Sequence, residues 1–183
     1  GFRDTLQRNL LGATAHVSIL EKEPGTGIEH WEQLAPKLAQ IPHVKSAAPA
    51  LYESGYISGP LTGAGVAIKG VDVRPGAPLA DTLKHLKTGS LTGLQASGDL
   101  PGIVLGSRLA ENIGAVTGKQ VQLVIPNGQI TPFGPRPSYV RLRVAGTFES
   151  GFYDLDANWA FLSLTDAQKA FDLTDVVNSI ELM

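Results

Sequence analysis

Apolar residues in this chain come in short bursts, each cut off by glycine, proline or a polar cluster. No burst approaches the roughly 18 residues that a membrane-crossing helix needs. With 21 glycines and 12 prolines among 183 residues, tight turns and hairpins are expected. The 43% hydrophobic content against 17% charged describes a chain with a sizeable core, not a disordered one. A fold of short strands and short helices is what such bursts can build.

Strand and helix signals alternate at both ends. Phe2, Leu6 and Leu10 recur every four residues among polar neighbours, one stripe of a short helix. A chain that opens in mid-helix reads as cut from something longer; an ordinary N-terminal amphipathic helix is the alternative. After Gly12, Ala13, Ala15, Val17 and Ile19 alternate with Thr14, His16 and Ser18, a strand reaching Leu20. Trp31, Leu34, Leu38 and Ile41 fall at helical spacing, which predicts a helix over 28–41 with that face buried and Pro36 kinking or shortening it. Residues 44–58 and 65–71 read as strands joined through Gly59-Pro60. At the far end 159–164 reads as a strand, 165–172 as a helix opened by Thr165 and Asp166, and 176–182 as a final strand.

The middle is richer in strand signals. A Pro/Gly-rich break over 72–78 leads to a short helix over 79–86 and a Gly/Ser-rich loop through Gly98. Ile103 to Leu105 is a brief strand, followed by a helix capped by Ser107, with Leu109, Ala110 and Ile113 inward and Gly114 at its end. Val121 to Ile125 is a strand, and so is the segment where Val140, Leu142 and Val144 alternate with Tyr139, Arg141 and Arg143. A second transition covers 146–158, with Phe148, Phe152 and Tyr153 among polar residues. The sum is an α+β fold: a discontinuous strand-helix part made by both chain ends, carrying an inserted β-rich part.

Composition removes several functions. The absence of cysteine excludes disulfides, thiolate metal sites and a thiol nucleophile. A net charge of -2 without any basic run gives no nucleic-acid partner and no membrane-surface patch. Gly114 to Gln120 has one spacer too few for a phosphate loop and joins helix to strand, the reverse of the required order. Asp154, Asp156 and Asn158 match the first positions of a calcium loop, but Trp159 stands where the turn glycine belongs and Thr165 where the bidentate Glu belongs, so a capped tight turn is expected. His16, His30, His43 and His85 lack ligand spacing. Glu21, Glu23 and Asp81 would act as acids only if a cleft gathered them, and no G-x-S-x-G elbow is present. No catalytic, cofactor-binding or metal-binding residue is assigned.

One segment calls for a reason of its own. Pro126 to Ser138 joins two strands, and at 13 residues it exceeds the usual two to five of a hairpin loop. Its four prolines stiffen it and strip out amide donors, which keeps it from pairing as an edge strand and lowers the entropy lost on docking. Ile130 and Phe133 at its middle are candidate apolar anchors. In the alternative, the loop folds back and Phe133 plugs the core. Gln122, Tyr139, Arg141 and Arg143 are expected outward at the base, a polar and basic platform suited to an acidic protein partner.

Several segments together resemble the periplasmic region of LolC/LolE-type permeases of lipoprotein-releasing ABC transporters. They are the opening G-F-R-D-T-L-Q-R-N-L-L-G-A-T-A-H-V-S-I, then V-K-S-A-A-P-A-L-Y, I-K-G-V-D, G-I-V-L-G-S-R-L-A-E-N-I-G, V-A-G-T-F-E-S-G-F-Y-D-L-D and A-F-L-S-L-T-D-A-Q-K-A-F. The resemblance covers nearly the whole chain. It implies a membrane-proximal Porter-like subdomain from 1–72 and 147–183 and an inserted, β-rich Sabre-like subdomain from 73–146 that carries a hook loop at 126–138. T-P-F-G-P-R-P is similar to that hook, which in this family binds a periplasmic lipoprotein chaperone. The residues it puts forward as partner-binding are Pro126, Ile130, Thr131, Pro132, Phe133, Gly134, Pro135, Arg136 and Pro137 of the loop, with Gln122, Tyr139 and Arg141 beside it. It further implies a second permease subunit, ATP hydrolysis on separate cytoplasmic subunits, a lipoprotein cargo, and a place in the periplasm of a bacterial inner-membrane protein. Related MacB-like efflux and FtsX-like signalling permeases share the architecture with different cargo.

Overall fold

The computed structural model describes residues 17–20, 27–95, 98–173 and 175–182. The expectations placed on Phe2, Leu6, Leu10, Gly12, Ala13 to His16, Glu21 and Glu23 lie outside them. In chain order the elements are β1 (Val17–Leu20), α1 (Trp31–Ala39), β2 (Ala47–Ser58), β3 (Gly63–Val71), α2 (Asp81–Lys84), β4 (Thr88–Gly89), α3 (Thr92–Gln95), β5 (Gly102–Gly106), α4 (Ser107–Ile113), β6 (Gln120–Thr131), β7 (Gly134–Phe148), α5 (Tyr153–Asn158), β8 (Trp159–Ser163), α6 (Leu164–Ala170) and β9 (Ser179–Leu182).

Six strands close on themselves. β2 pairs β3, β3 pairs β8 in parallel, β8 pairs β5, β5 pairs β7 in parallel, β7 pairs β6, and β6 returns to β2. Closure is possible because β2 is long enough to take two partners on one edge. Its Ala47–Ala50 stretch pairs β9, and its Tyr56–Ser58 stretch pairs β6. β9 is flanked on its other side by β1, and β4 adds to β7.

Alternation sorts the side chains into two cores. Ile103 and Leu105 of β5 and Ala160 and Leu162 of β8 enter a large core with Ile57, Ile68, Leu123, Leu142 and Val144, which continues under α1, α4 and α6. Val104 and Phe161, one residue out of phase, join a smaller core with Leu83, Leu94, Phe148 and Leu155. There Phe148 and Phe161 meet edge to face with centroids 5.4 Å apart. All five residues of β5 are buried, as expected of a short apolar run with partners on both edges. α6 can lie on β3 because Gly70 has no side chain: a Cβ there would stand 2.6 Å from the Cβ of Ala167.

Several local expectations need correction. Ser107 is the first residue of α4 and caps nothing; Gly106 holds the cap position, and the buried Ser107 hydroxyl has no partner. In α6 the cap is Ser163, whose hydroxyl accepts the Asp166 amide at 3.2 Å, and not Thr165. Ile41 lies beyond the end of α1 and is exposed, while Trp31 and Ala35 form its buried face. The stretch expected as a loop up to Gly98 contains β4 and α3, and the transition over 146–158 contains α5.

Candidate docking site

The loop expected over 126–138 is largely paired. β6 and β7 match Gln120–Ile125 with Ser138–Arg143, then resume with Gln129, Ile130 and Thr131 opposite Arg136, Pro135 and Gly134. Between these stretches Pro126, Asn127 and Gly128 face Pro137 alone, a bulge that bends the ribbon. Gly128 is required there, since a Cβ would come 1.9 Å from Ser138 Oγ. Only Pro132 and Phe133 remain as the turn. Thr131 closes it, its hydroxyl accepting the Phe133 amide at 3.2 Å and donating to the Gly134 carbonyl at 2.7 Å. Gly134 sits at φ 108, a conformation that L side chains rarely adopt.

The prolines therefore act differently from the expectation. They do not stop β7 from pairing β6. A proline has no amide to donate, so the Ile130–Pro135 pair must be of the kind that exchanges no hydrogen bonds. That phase turns the missing donors of Pro135 and Pro137 to the outer edge of β7, where a further strand would need them.

Beyond the bulge the side chains point to solvent. Ile130 is 91% exposed and Phe133 89% exposed, which rules out the alternative in which Phe133 plugs the core. Pro126, Pro132, Pro135, Arg136 and Pro137 are exposed as well, with Thr131 and Gly134 half-buried.

At the base, register places Gln122 opposite Arg141, Val124 opposite Tyr139 and Gln120 opposite Arg143, all on one face. The alternate positions Val121, Leu123, Ile125, Leu142 and Val144 are buried. The expected outward set of Gln122, Tyr139, Arg141 and Arg143 does share a surface. Arg143 is partly committed, since its Nη1 donates to the Gly118 carbonyl at 3.0 Å. Sequence reasoning missed Tyr56, which β2–β6 pairing sets opposite Val124. A row Tyr56–Val124–Tyr139 thus crosses three strands. Alternation in β2 gives Tyr56 its outward side, but the pairing that brings it to the hairpin joins strands more than 60 residues apart and leaves no local signal. Its ring lies over Gly63, where a Cβ would stand 2.4 Å from the ring.

The residues weighed for chemistry are not drawn together. His30, His43, His85 and Asp81 are all exposed, and only Asp81 and His85 share an element, at the two ends of α2. Asp156 is buried and bound to the turn before α5. A depression between α1 and α6 is lined by Trp31, Glu32, Asp72, Arg74 and Gln168, and its one shifted carboxyl is already spoken for. Burial alone pushes Asp72 up, yet the hydrogen bonds and charge of Arg74, at 2.7 and 2.9 Å, hold it below the ordinary carboxylate range. Among the described residues no helix is long and apolar enough to cross a membrane.

The family model described as "MacB-like periplasmic core domain" matches residues 1–183. The chain is 26% identical over 179 residues to the "Lipoprotein-releasing system transmembrane protein LolC" of Xylella fastidiosa strain Temecula1, covering 96% of this chain and 41% of that protein. It is 29% identical over 185 residues to the protein of the same description from Neisseria meningitidis serogroup B, covering all of this chain and 43% of that one. The chain thus spans less than half the length of these curated relatives. Among solved structures, the extracellular domain of the noncanonic ABC-type transporter YknZ from Gram-positive bacteria superposes with a TM-score of 0.56 at 11% identity, over 91% of this chain and 81% of that one. That likeness concerns the fold.

Proposed function

The chain belongs to the MacB-like periplasmic core domain family, and from that premise we propose that it is the periplasmic docking and coupling domain of a permease that releases lipoproteins from the bacterial inner membrane. The β6–β7 hairpin docks a soluble periplasmic lipoprotein chaperone, with Phe133 and Ile130 as apolar anchors. Pro126, Thr131, Pro132, Gly134, Pro135, Arg136 and Pro137 shape the tip, and Gln122, Tyr139 and Arg141 form a polar platform below it. The observation that carries this reading is the outward display of two large apolar side chains, 91% and 89% exposed, on a ribbon stiffened by proline. In the whole permease, 1–72 and 147–183 lie nearest the membrane and 73–146 project away from it. A second permease subunit stands alongside, ATP is hydrolysed on separate cytoplasmic subunits, and the resulting motion passes an acylated lipoprotein cargo to the docked chaperone.

Titration of this chain with the purified chaperone tests the proposal. Phe133→Ala should weaken binding at least tenfold, the effect of losing a contact of roughly 1.4 kcal/mol or more. Unchanged affinity removes Phe133 as an anchor. Absence of any binding by the unaltered chain favours a MacB-like efflux or FtsX-like signalling permease, the reading that the family description equally accommodates.

A further inference from the structure

Asn-Gly is the pair that a two-residue hairpin turn prefers, yet the turn here is Pro132 and Phe133, and Asn127-Gly128 lies earlier, in the bulge of β6. The pair therefore turns nothing. Neither residue has a partner in the β6–β7 register, so the peptide between them is less constrained than its paired neighbours. Asn127 is exposed, and among the described residues no hydrogen bond holds its carboxamide. Elsewhere the carboxamides are better held. Asn158 donates to the Asp154 carbonyl at 2.9 Å, and Asn178 bonds both the amide and the carbonyl of Tyr52 at 2.7 Å. Asn112, Asn158 and Asn178 are also followed by Ile113, Trp159 and Ser179, whose side chains shield the next amide nitrogen. Gly128 leaves its nitrogen open, and the bulge admits no other residue there, since a Cβ would come 1.9 Å from Ser138 Oγ.

We propose that Asn127 is a modification site, where spontaneous deamidation through the Gly128 amide converts the hairpin into a form that docks less tightly. The Gly128 nitrogen gives up its proton to solvent and bonds to Asn127 Cγ, closing a succinimide ring. The Cγ–Nδ2 bond breaks, and that nitrogen takes up a proton and leaves as ammonia. Water then opens the ring at one of its two carbonyl carbons. Cleavage at Cγ restores the ordinary backbone with aspartate at 127. Cleavage at the backbone carbonyl leaves isoaspartate, whose main chain runs through Cβ and Cγ and is longer by a methylene. No atom is oxidised or reduced, and water is the only co-reactant. Either product adds a carboxylate to the hairpin that carries Arg136 and Arg141, against the charge expected of an acidic partner. Isoaspartate also lengthens the bulge that bends the ribbon, and so re-aims Ile130 and Phe133. The loss of docking rests on the proposed function; the reaction at Asn127 does not.

Warming the folded chain at mildly alkaline pH tests the site, read by peptide mass spectrometry and by methylation with a protein isoaspartyl methyltransferase. The same chain in guanidinium chloride gives the rate without structure. The folded rate at Asn127 should lie within about tenfold of it, as for a segment whose local opening is nearly free. A reaction that required global unfolding would be slower by about a thousandfold or more, and that result overturns the inference. Asn127→Gln should abolish both the mass gain and the methylation. The aged chain should bind the purified periplasmic lipoprotein chaperone roughly tenfold more weakly than the fresh one, the loss expected when a tip anchor moves off its contact. The aged Asn127→Gln chain should bind as tightly as the fresh parent. Equal affinity of aged and fresh parent overturns the loss of docking. A fresh chain that binds no chaperone sinks the docking reading and leaves the reaction at Asn127 standing; a fresh chain that binds but gains no mass at Asn127 does the reverse.

Discussion

The carboxylate of Asp156 holds three donors, the Ser150 amide at 2.8 Å, the Ser150 hydroxyl at 2.7 Å and the Gly151 amide at 3.2 Å. It ties the turn after β7 to α5, and the neighbouring backbone is packed tightly enough that a Cβ on Gly106 would lie 2.2 Å from the Asp156 carbonyl oxygen. A side chain in this position stabilises by satisfying part-buried donors, and its removal breaks all three hydrogen bonds at once. Asp156→Ala should lower the unfolding free energy by about 3 kcal/mol, by the same amount with calcium as with chelator, measured by urea titration. A calcium-dependent difference would restore the metal reading of Asp154, Asp156 and Asn158. At this scale the sequence was informative in part: Asp156 does hold a tight turn, at Ser150 and Gly151, but Asp154, Asp156 and Asn158 themselves lie in α5 and not in the turn expected for them.

Among the elements, the hairpin divides into a part that the core needs and a part that it does not. Leu123 and Leu142 are fully buried, whereas the residues past the bulge bury no large side chain. Replacing 129–136 with an Asn-Gly turn should shift the thermal midpoint by less than the scatter of surface mutations, about 0.5 kcal/mol in stability. Leu123→Ala should cost roughly 3 kcal/mol or more by opening a cavity in the ring. The two together, followed by circular dichroism on heating, separate docking from folding. Legibility follows the same division. Val121, Leu123 and Ile125 alternate because one side meets the core, so that stretch reads as strand from its pattern alone. Past Ile125 neither side is buried, the alternation stops, and backbone pairing continues with nothing in the side chains to announce it. β4 and α3 escaped for a related reason: two and four residues are too few to show a period. Prolines 126, 132, 135 and 137 misled more actively, since they signal a break in pairing across the whole segment, whereas Pro126 occupies only the bulge, Pro132 only the turn, and Pro135 and Pro137 protect one edge of β7.

For the molecule as a whole, the closed ring interleaves the two stretches that the sequence separates. β5 and β6, from the inserted stretch, pair β8 and β2, from the terminal ones, and the large core draws on both. The prediction is one cooperative transition, with calorimetric and van't Hoff enthalpies equal, and no folded state for 73–146 expressed alone. An independently folding insertion would show two transitions. Both halves of the discontinuous α+β arrangement were readable from the alternation of strand and helix signals. The β2–β6 and β5–β8 pairings that join them were not, because contacts between distant strands have no local period. Ring closure and the outward-turned prolines of β7 have a kinetic consequence. On the outer edge of β7 at the tip, Pro135 and Pro137 offer no amides, so a partner there has no ladder to zip onto and must be held by individual side chains that release one at a time. Such a contact forms and lets go quickly, with its lifetime set by the few anchors at the tip. If the docking proposal holds, brief residence is what a carrier that arrives empty and leaves loaded requires.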